Sequence, residues 1–382
     1  MNIAEVTTYK EGGVYTHVAE LVKRIDANIL IITGNTTMSG YQQENGLSFY
    51  HIPCKIAPWM IYFINPLGSY KKVKNLLKKH EIKLIHFHNP LFTFSNGLMN
   101  KHELPMIMTA HYVLDLKGNK IVSFIFNKII KLTTLYISKK VDKIICVNKD
   151  YIPIFTSWGV DPDKLVFIPN GVDTNRFTPG ESKIKQKYRN SKLMVFFGRL
   201  HYQKNVDLLI RSFKLIEKQV DNVKLVIIGG GPDIKRLKKI STFSKNIIFT
   251  GYVSDEELLD YLRGAYIAVF PSRAETASLT LLESMACGLP VVFSDVGNAR
   301  KILADGRGMI LDEYTEKDLA EKCINLLKNE GLAKDMGVRA MEFVRENYSL
   351  DVTCEKTEEL YETVIEQNPF KAKKKIRRHK HI

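Results

Sequence analysis

The chain has 382 residues, 45% hydrophobic and 25% charged, a composition that excludes a disordered or collagen-like polypeptide. Its length calls for two domains, since single cores stop growing near ~250–300 residues. Its 56 Lys+Arg against 41 Asp+Glu give a formal net charge of +15, a surplus that points to an acidic partner.

Residues 2–6 read as a buried strand, broken by Glu11-Gly12-Gly13. Val14, Val18, Leu21, Val22 and Ile25 then recur at helical spacing. Residues 29–33, 84–87, 106–109, 143–147 and 166–168 are further short apolar strands, with helices over 70–80 and 119–140. The pattern restarts after residue 190. Strands are expected at 193–197, 224–228, 246–249, 267–270 and 291–293, and helices at 206–219, 255–262, 279–286 and 318–328. Such alternation predicts parallel sheets covered on both faces. The bridge at 172–192 is polar, carries Pro179-Gly180 and reads as a linker. A last amphipathic helix is expected at about 350–366, packing back on the first half.

The expected architecture is therefore α/β: two doubly wound Rossmann-like domains, 1–175 and 176–349, facing a central cleft. A basic tail follows over 367–382. Ligands of such sheets bind at the carboxyl ends of the strands, and a cleft between two of them is the default site.

The longest apolar stretches, 57–67 and 121–130, are too short to span a bilayer, which takes ~20 residues. The opening Met1-Asn2-Ile3-Ala4-Glu5 lacks a signal-peptide pattern. Cys54, Cys146, Cys287, Cys323 and Cys354 are scattered without paired spacing. They predict reduced thiols and a cytoplasmic setting, neither a disulfide framework nor a zinc site.

The charge surplus is localised. Residues 1–175 carry a net +7, 176–370 a net +1, and 371–382 a net +7 with no acid at all. Lysines interleave with apolar residues over 70–80 and 119–140, as in helices that lie on anionic membranes. Trp59-Met60-Ile61-Tyr62-Phe63 could insert or cap a core. An anionic membrane surface is thus a candidate partner through 70–80, 119–140 and 371–382, with peripheral attachment on the cytoplasmic face. The tail has no aromatic interleaving, so nucleic acid is not expected. Its plain alternative is a disordered solubilising tail.

Several strand ends carry chemistry. Glu275 follows one strand, and Glu283 stands eight residues on, inside the next helix. Small residues Thr276, Ala277 and Ser278 precede that helix, whose first N–H groups suit a phosphate. Gly198-Arg199-Leu200 with Lys204 puts two cations on one loop, matched to a diphosphate. Gly229-Gly230-Gly231 is a tight strand-to-helix turn without the dinucleotide fingerprint. In the first half, Gly12-Gly13 with Tyr15 and His17, then His86 and His88, then His111-Tyr112, all fall at strand ends. No HExxH or Cys/His motif exists, so no metal site is expected.

Together these motifs resemble glycosyltransferase family 4, retaining enzymes of GT-B fold, from Met1 to about Tyr361. The most specific part is Glu275-x7-Glu283 leading into Ser-Met-Ala-Cys-Gly-Leu-Pro-Val; Pro169-Asn170-Gly171-Val172-Asp173 matches the signature closing the first domain. Gly12-Gly13, His17 and Thr-Ala-His111 look like the phosphatidylinositol mannosyltransferase branch. The family often has Gly where this chain has Asn205 and Ser278.

The resemblance implies transfer of a hexose-type sugar from GDP-mannose or a UDP-sugar to a lipid, lipid-linked or cell-envelope glycan acceptor. It implies His111 and Glu275 as catalytic residues. Gly12, Gly13, Arg199, Lys204, Gly230, Val253, Ser278, Leu279, Thr280 and Glu283 would bind the donor. Tyr15, His17, His88 and Tyr112 would line the acceptor side. No cofactor or metal is called for. The rival reading is a catalytically silent nucleotide-binding or scaffold protein on the same fold, against which the intact charged residues speak.

Overall fold

The computed structural model describes residues 1–7, 13–35, 40–44, 46–53, 66–88, 104–111 and 120–367. The chain forms two compact units. One holds the described residues up to Asn170 and those from Asp351 on; the other runs from Gly171 to Leu350.

The first unit is built on β1 (Asn2–Thr7), β2 (Asn28–Asn35), β3 (Gly40–Glu44), β4 (Leu47–Pro53), β5 (Leu84–His88), β6 (Met106–Ala110), β7 (Lys143–Cys146) and β8 (Leu165–Phe167). Their order is β3-β4-β2-β1-β5-β6-β7-β8, parallel except for β3, which pairs antiparallel with β4. The β3–β4 hairpin was not expected. Gly40–Glu44 is a polar edge strand, and Leu47–Pro53 mixes Ser48, Tyr50 and His51 with its apolar residues, so neither reads as a buried run. Central β5 is entirely buried although it carries two histidines.

The helix Leu350–Glu366 belongs to this unit. Thr353 Oγ1 donates to the Pro169 carbonyl at 3.1 Å, and the Asp26 N–H donates to Glu358 Oε1 at 2.7 Å.

The second unit contains β9 (Lys192–Phe197), β10 (Val223–Ile228), β11 (Ile247–Gly251), β12 (Ile267–Phe270), β13 (Val291–Ser294) and β14 (Met309–Leu311). All are parallel, in the order β11-β10-β9-β12-β13-β14. Buried Phe196, Phe197, Phe270 and Phe293 pack ring on ring along the middle strands. The helix Val206–Ile216 lays Leu209, Ile210, Phe213 and Ile216 on the sheet, the spacing of one helical face.

Residues 172–192 are not a loose linker. Val172 is buried and bridges to Ser349, and Ile184 is buried within the helix Lys183–Lys187. Ser182 caps that helix, accepting from the Lys185 N–H, and its hydroxyl donates to the Asp260 carbonyl. The polar residues read as linker are thus partly caps that hold the segment to its own unit.

Both sheets are doubly wound. Strand order reverses direction between β1 and β5 in one and between β9 and β12 in the other. Loops diverge at such switch points, leaving room for a ligand at the carboxyl ends of the strands.

Candidate active site

At the second unit's switch point, the loop after β9 meets the loop after β12. Lys204 Nζ lies 2.5 Å from Glu275 Oε1, which also accepts from Ser272 Oγ at 2.8 Å. Arg273 ties the same loops from the other side. Its N–H donates to the Gln203 carbonyl at 2.7 Å, and its guanidinium donates to Asn205 Oδ1 at 2.5 Å while lying over the Tyr202 ring. Asn205 has φ +52°. Asn is among the few non-glycine residues that adopt this left-handed conformation readily, which accounts for Asn where the family often has Gly.

Arg199 is exposed at the end of β9. Ser278 is the N-cap residue of the helix Leu279–Ala286, but its side chain makes no cap bond; its hydroxyl faces the Thr280 hydroxyl instead, at 2.9 Å. No acidic residue stands in that helix's first turn. Its positive end is therefore open to an anion.

Glu283 sits one turn further in. Burial pushes its carboxyl up to about 7, against the pull of Arg176 and Lys204 and with added push from Asp255. Arg176 pairs with Asp255 at 2.9 Å. Sequence reading missed Arg176 and Arg273. Both adjoin quoted motifs: Arg273 stands two residues before Glu275, and the Arg176 N–H donates to Asp173 Oδ1.

The three strand-end loops of this unit interlock. The Leu200 N–H donates to the Gly230 carbonyl, the Gly198 N–H to the Ile228 carbonyl, and the Gly229 N–H to the Gly251 carbonyl, at 2.7–3.0 Å. Gly229 has φ +118°, and a Cβ there would lie 2.2 Å from the Gly198 carbonyl oxygen. Gly230 is faced by the Tyr252 ring, and Val253 is half-buried where the chain leaves β11.

In the first unit, β1, β5 and β6 bring together a cluster that the sequence presented only as separate histidines. Glu5 pairs in register with His86, and His88 with Thr109, so alternation puts Glu5, His86, His88, Thr109 and His111 on one face. Glu5, His86, His88 and Tyr361 are each at most 1% exposed. Glu5 Oε1 accepts from the Tyr361 hydroxyl at 2.6 Å, and Oε2 lies 2.8 Å from His88 Nε2 and 3.2 Å from His86 Nδ1. His86 Nδ1 also lies 2.6 Å from the Tyr361 oxygen, and its Nε2 lies 2.7 Å from Thr109 Oγ1. His88 Nδ1 lies 3.1 Å from His111 Nε2. The His17 ring stands edge-on to His111, centroids 5.4 Å apart.

Burial alone would raise the Glu5 pKa, but His86 and His88 outweigh it and hold the carboxyl below the usual range. Burial, then the neighbouring imidazoles, pushes His17 down to about 3. Burial and His86 push His88 down to about 4 despite Glu5, and His111 is held well below its ordinary value by burial, His17, His88 and His86. The cluster is a buried anion near three rings, His17, His88 and His111, that burial holds neutral.

His88, expected on the acceptor side, is fully buried and touches His111 instead. No metal motif was legible, yet Glu5, His86 and His88 hold their ligand-type atoms within 4.8 Å of one another. Each of those atoms is already hydrogen-bonded within the cluster. His17 is 7% exposed, on the helix Gly13–Val22. Gly13 opens that helix and Tyr15 lies within it, while Gly12 and Tyr112 lie outside the described residues.

The family description "Glycosyltransferase Family 4" matches residues 11–176, and "Glycosyl transferases group 1" matches 178–343. An uncharacterized glycosyltransferase of Methanocaldococcus jannaschii is 32% identical over 349 residues, covering 87% of this chain and 89% of its own. The phosphatidylinositol N-acetylglucosaminyltransferase GPI3 subunit of Saccharomyces cerevisiae is 25% identical, covering 84% and 74%. Among solved structures, HepE of Anabaena in complex with UDP-glucose superposes with a TM-score of 0.76 at 16% identity, covering 95% of this chain and all of its own. The two matched segments follow one another along the chain, as the two doubly wound units do. The chain is an enzyme of the glycosyltransferases, a family 4 member of GT-B fold.

Proposed function

We propose that the chain is a retaining glycosyltransferase that moves a hexose-type sugar, such as mannose or glucose, from a GDP- or UDP-sugar to a lipid or lipid-linked acceptor. The observation that carries this is the Lys204–Glu275–Ser272 cluster at the second unit's switch point, beside half-buried Glu283 and an open helix N-terminus.

Lys204 and Arg199 bind the diphosphate, and the N–H groups at Ser278, Leu279 and Thr280 cap it. Glu283 accepts from the ribose diol, and Glu275 contacts the transferring sugar. Gly12, Gly13, Gly230 and Val253 complete the donor side; Tyr15, His17 and Tyr112 belong to the acceptor side, with His111 directed at a reacting hydroxyl. As the anomeric C–O bond to the phosphate breaks, negative charge grows on the departing oxygen, and fixed cations and the helix end stabilise it. The acceptor oxygen bonds to the anomeric carbon on the same face and gives its proton to that departing oxygen. These residues supply the charge a metal would, so the reaction needs none. Lys204→Ala and Arg199→Ala, assayed in EDTA with the nucleotide sugar selected by thermal shift, should each lower kcat/KM about 10²-fold or more. Wild-type rates in both variants would refute the phosphate assignment, and loss of wild-type activity in EDTA would refute metal independence.

A lipid acceptor is supported by the surface of the first unit. The helix Lys120–Ser138 has no acidic residue; it buries Ile130, Thr134 and Ile137 but exposes Phe124, Ile129, Leu132 and Tyr136 beside Lys128 and Lys131. An exposed apolar stripe among cations fits an anionic bilayer surface. The helix Pro66–Lys79 differs: its Val73 and Leu77 are buried in the core, while Lys71, Lys72, Lys78 and Lys79 are exposed. Residues 59–63 and 371–382 lie outside the described residues. Among the described residues no helix is long and apolar enough to cross a membrane. Docking is peripheral, on the cytoplasmic face. The protein should pellet with phosphatidylglycerol vesicles at low salt, and Phe124→Ser with Leu132→Ser should release most of it. Equal pelleting with neutral vesicles, or none at all, would refute the docking.

A further inference from the structure

The polar hairpin of the first unit helps to close a pocket at the end of the sheet away from the histidine cluster. β1, β2 and β4 are parallel and begin near one another, at Asn2, Asn28 and Leu47. Along β1, that end is about 17 Å from the carboxyl end. Register pairs Asn2 with Asn28 and Leu30 with Ser48, so these four residues share one face. β3 runs back along β4 and sets the Tyr41 hydroxyl 3.0 Å from Ser48 Oγ. After the helix Pro66–Lys79, Glu81 at φ +49° turns the chain, and His80 and Ile82 on either side of it line the same pocket. Its volume is about 450 Å³, within the range of small-ligand sites.

No Lys, Arg, Asp or Glu lines this pocket. An ion finds no counter-charge there, so a neutral ligand is favoured. Val22, Leu30 and Ile82 give it a buried apolar floor. Its polar groups are amides and hydroxyls. Asn28 Nδ2 donates to Asn2 Oδ1 at 3.1 Å, and Asn2 Nδ2 donates to the His80 carbonyl at 3.0 Å. Those bonds hold both amides in place. Among the described residues, Asn28 Oδ1 and one N–H on each amide have no protein partner. The Tyr41–Ser48 hydroxyl pair uses only one of its two hydrogens. The Tyr41 ring is 54% exposed; it lies at 19° to the His80 ring, with centroids 6.1 Å apart. A pyranose meets such a lining well. Each of its hydroxyls both donates and accepts, as the free amide groups do, and its C–H face packs on an exposed aromatic ring.

We propose that this pocket is a second, non-catalytic saccharide site that holds one neutral pyranose unit, with Tyr41 as the stacking surface and Asn28 as the hydroxyl anchor. The unit is a free sugar or the end of a longer glycan; the pocket sees the same chemistry in both. The pocket lies at the amino ends of the strands, whereas His111 follows the carboxyl end of β6, so a sugar held here leaves the strand-end site open.

The test reads the pocket locally. The full chain is labelled with ¹⁵N-histidine, the His80 ring signals are assigned through His80→Gln, and methyl α-mannopyranoside, methyl α-glucopyranoside and N-acetylglucosamine are titrated in turn. At least one should shift His80 with a Kd on the order of 1 mM, the strength available to so small a ligand. Asn28→Ala, an exposed change, should weaken that binding about tenfold. Tyr41→Ala should abolish it, and Tyr41→Phe, which keeps the ring and the strand, should retain most of it. Equal affinity for the methyl glycoside and for a trisaccharide ending in the same sugar would assign a free sugar. Binding of the trisaccharide at least tenfold tighter would assign a glycan chain. No shift of His80 with any of the three sugars would overturn the proposal, as would undiminished binding in both Asn28→Ala and Tyr41→Ala. A shift with adenosine but with no sugar would also overturn it, since the pocket would then select a planar base.

Discussion

Lowering the pH from 7 to 5 should remove about 4 kcal/mol from the stability of the first unit. The cause is the pair of buried neutral rings, His17 and His88, held at about 3 and about 4. In the unfolded chain both titrate near 6.5. Between 6.5 and the folded values the unfolded state binds two protons that the folded state refuses, and each costs about 1.4 kcal/mol per pH unit. Stability is thus fully present above 6.5, is lost as pH falls, and stops falling only below about 3. His111 acts in the same direction. Glu5 does not act in this window, because its carboxyl is held low and stays ionised; its stabilisation is lost only in stronger acid.

Trp158 lies in the first unit, so urea unfolding of a Trp59→Phe variant followed by tryptophan fluorescence reports on that unit alone. His17→Gln should flatten the pH slope by about one proton. A wild-type unfolding free energy constant between pH 7 and 5 would contradict the burial of these rings as neutral species.

Gly229→Ala should destabilise the second unit by about 3 kcal/mol or more, the sum of left-handed backbone strain and an unrelieved clash. The added Cβ would meet the backbone carbonyl of Gly198 at 2.2 Å, and backbone cannot swing aside as a side-chain end can. The loop carrying Arg199 would be driven away from its partner loop, so nucleotide-sugar binding should weaken at least tenfold in whatever protein folds. Gly251→Ala is the control. Gly251 has φ +75° but open space around a Cβ, so strain alone applies, roughly 1–2 kcal/mol. Calorimetric unfolding and titration with donor would check both. Equal behaviour of the two variants would show that the loops do not interlock as described.

Much of the fold was legible because buried parallel strands are short, continuous and apolar, and β9, β10, β12 and β13 are of that kind. The edge elements were not. β3 is a polar edge strand, and β4 beside it mixes Ser48, Tyr50 and His51 with its apolar residues. The helix Glu330–Asn347 was missed although it is long, and it contains Gly337, which weakens helical reading. The glycine serves packing, since a Cβ there would lie 2.1 Å from the Gly288 carbonyl oxygen.

The second unit's cluster was visible as motifs, since Lys204, Glu275 and Glu283 sit on loops or helices named in advance. Its rear supports were not, because Arg176 and Arg273 act through contacts set by tertiary folding. In the first unit, the four histidines were found but not their centre. Glu5 lies in an apolar strand that reads as core, and Tyr361 lies in the last helix, 356 residues away. Nothing local connects them.

That separation bears on how the protein is made. Glu5 is synthesised before the second unit, whereas Tyr361 follows the whole of it. Nascent domains ordinarily complete themselves in chain order. Here the earlier-synthesised unit must wait with a desolvated carboxylate short of one donor, while the later one can close at once. Biogenesis should therefore run backwards relative to translation, with the first unit settling last, once the helix that carries Tyr361 has been made.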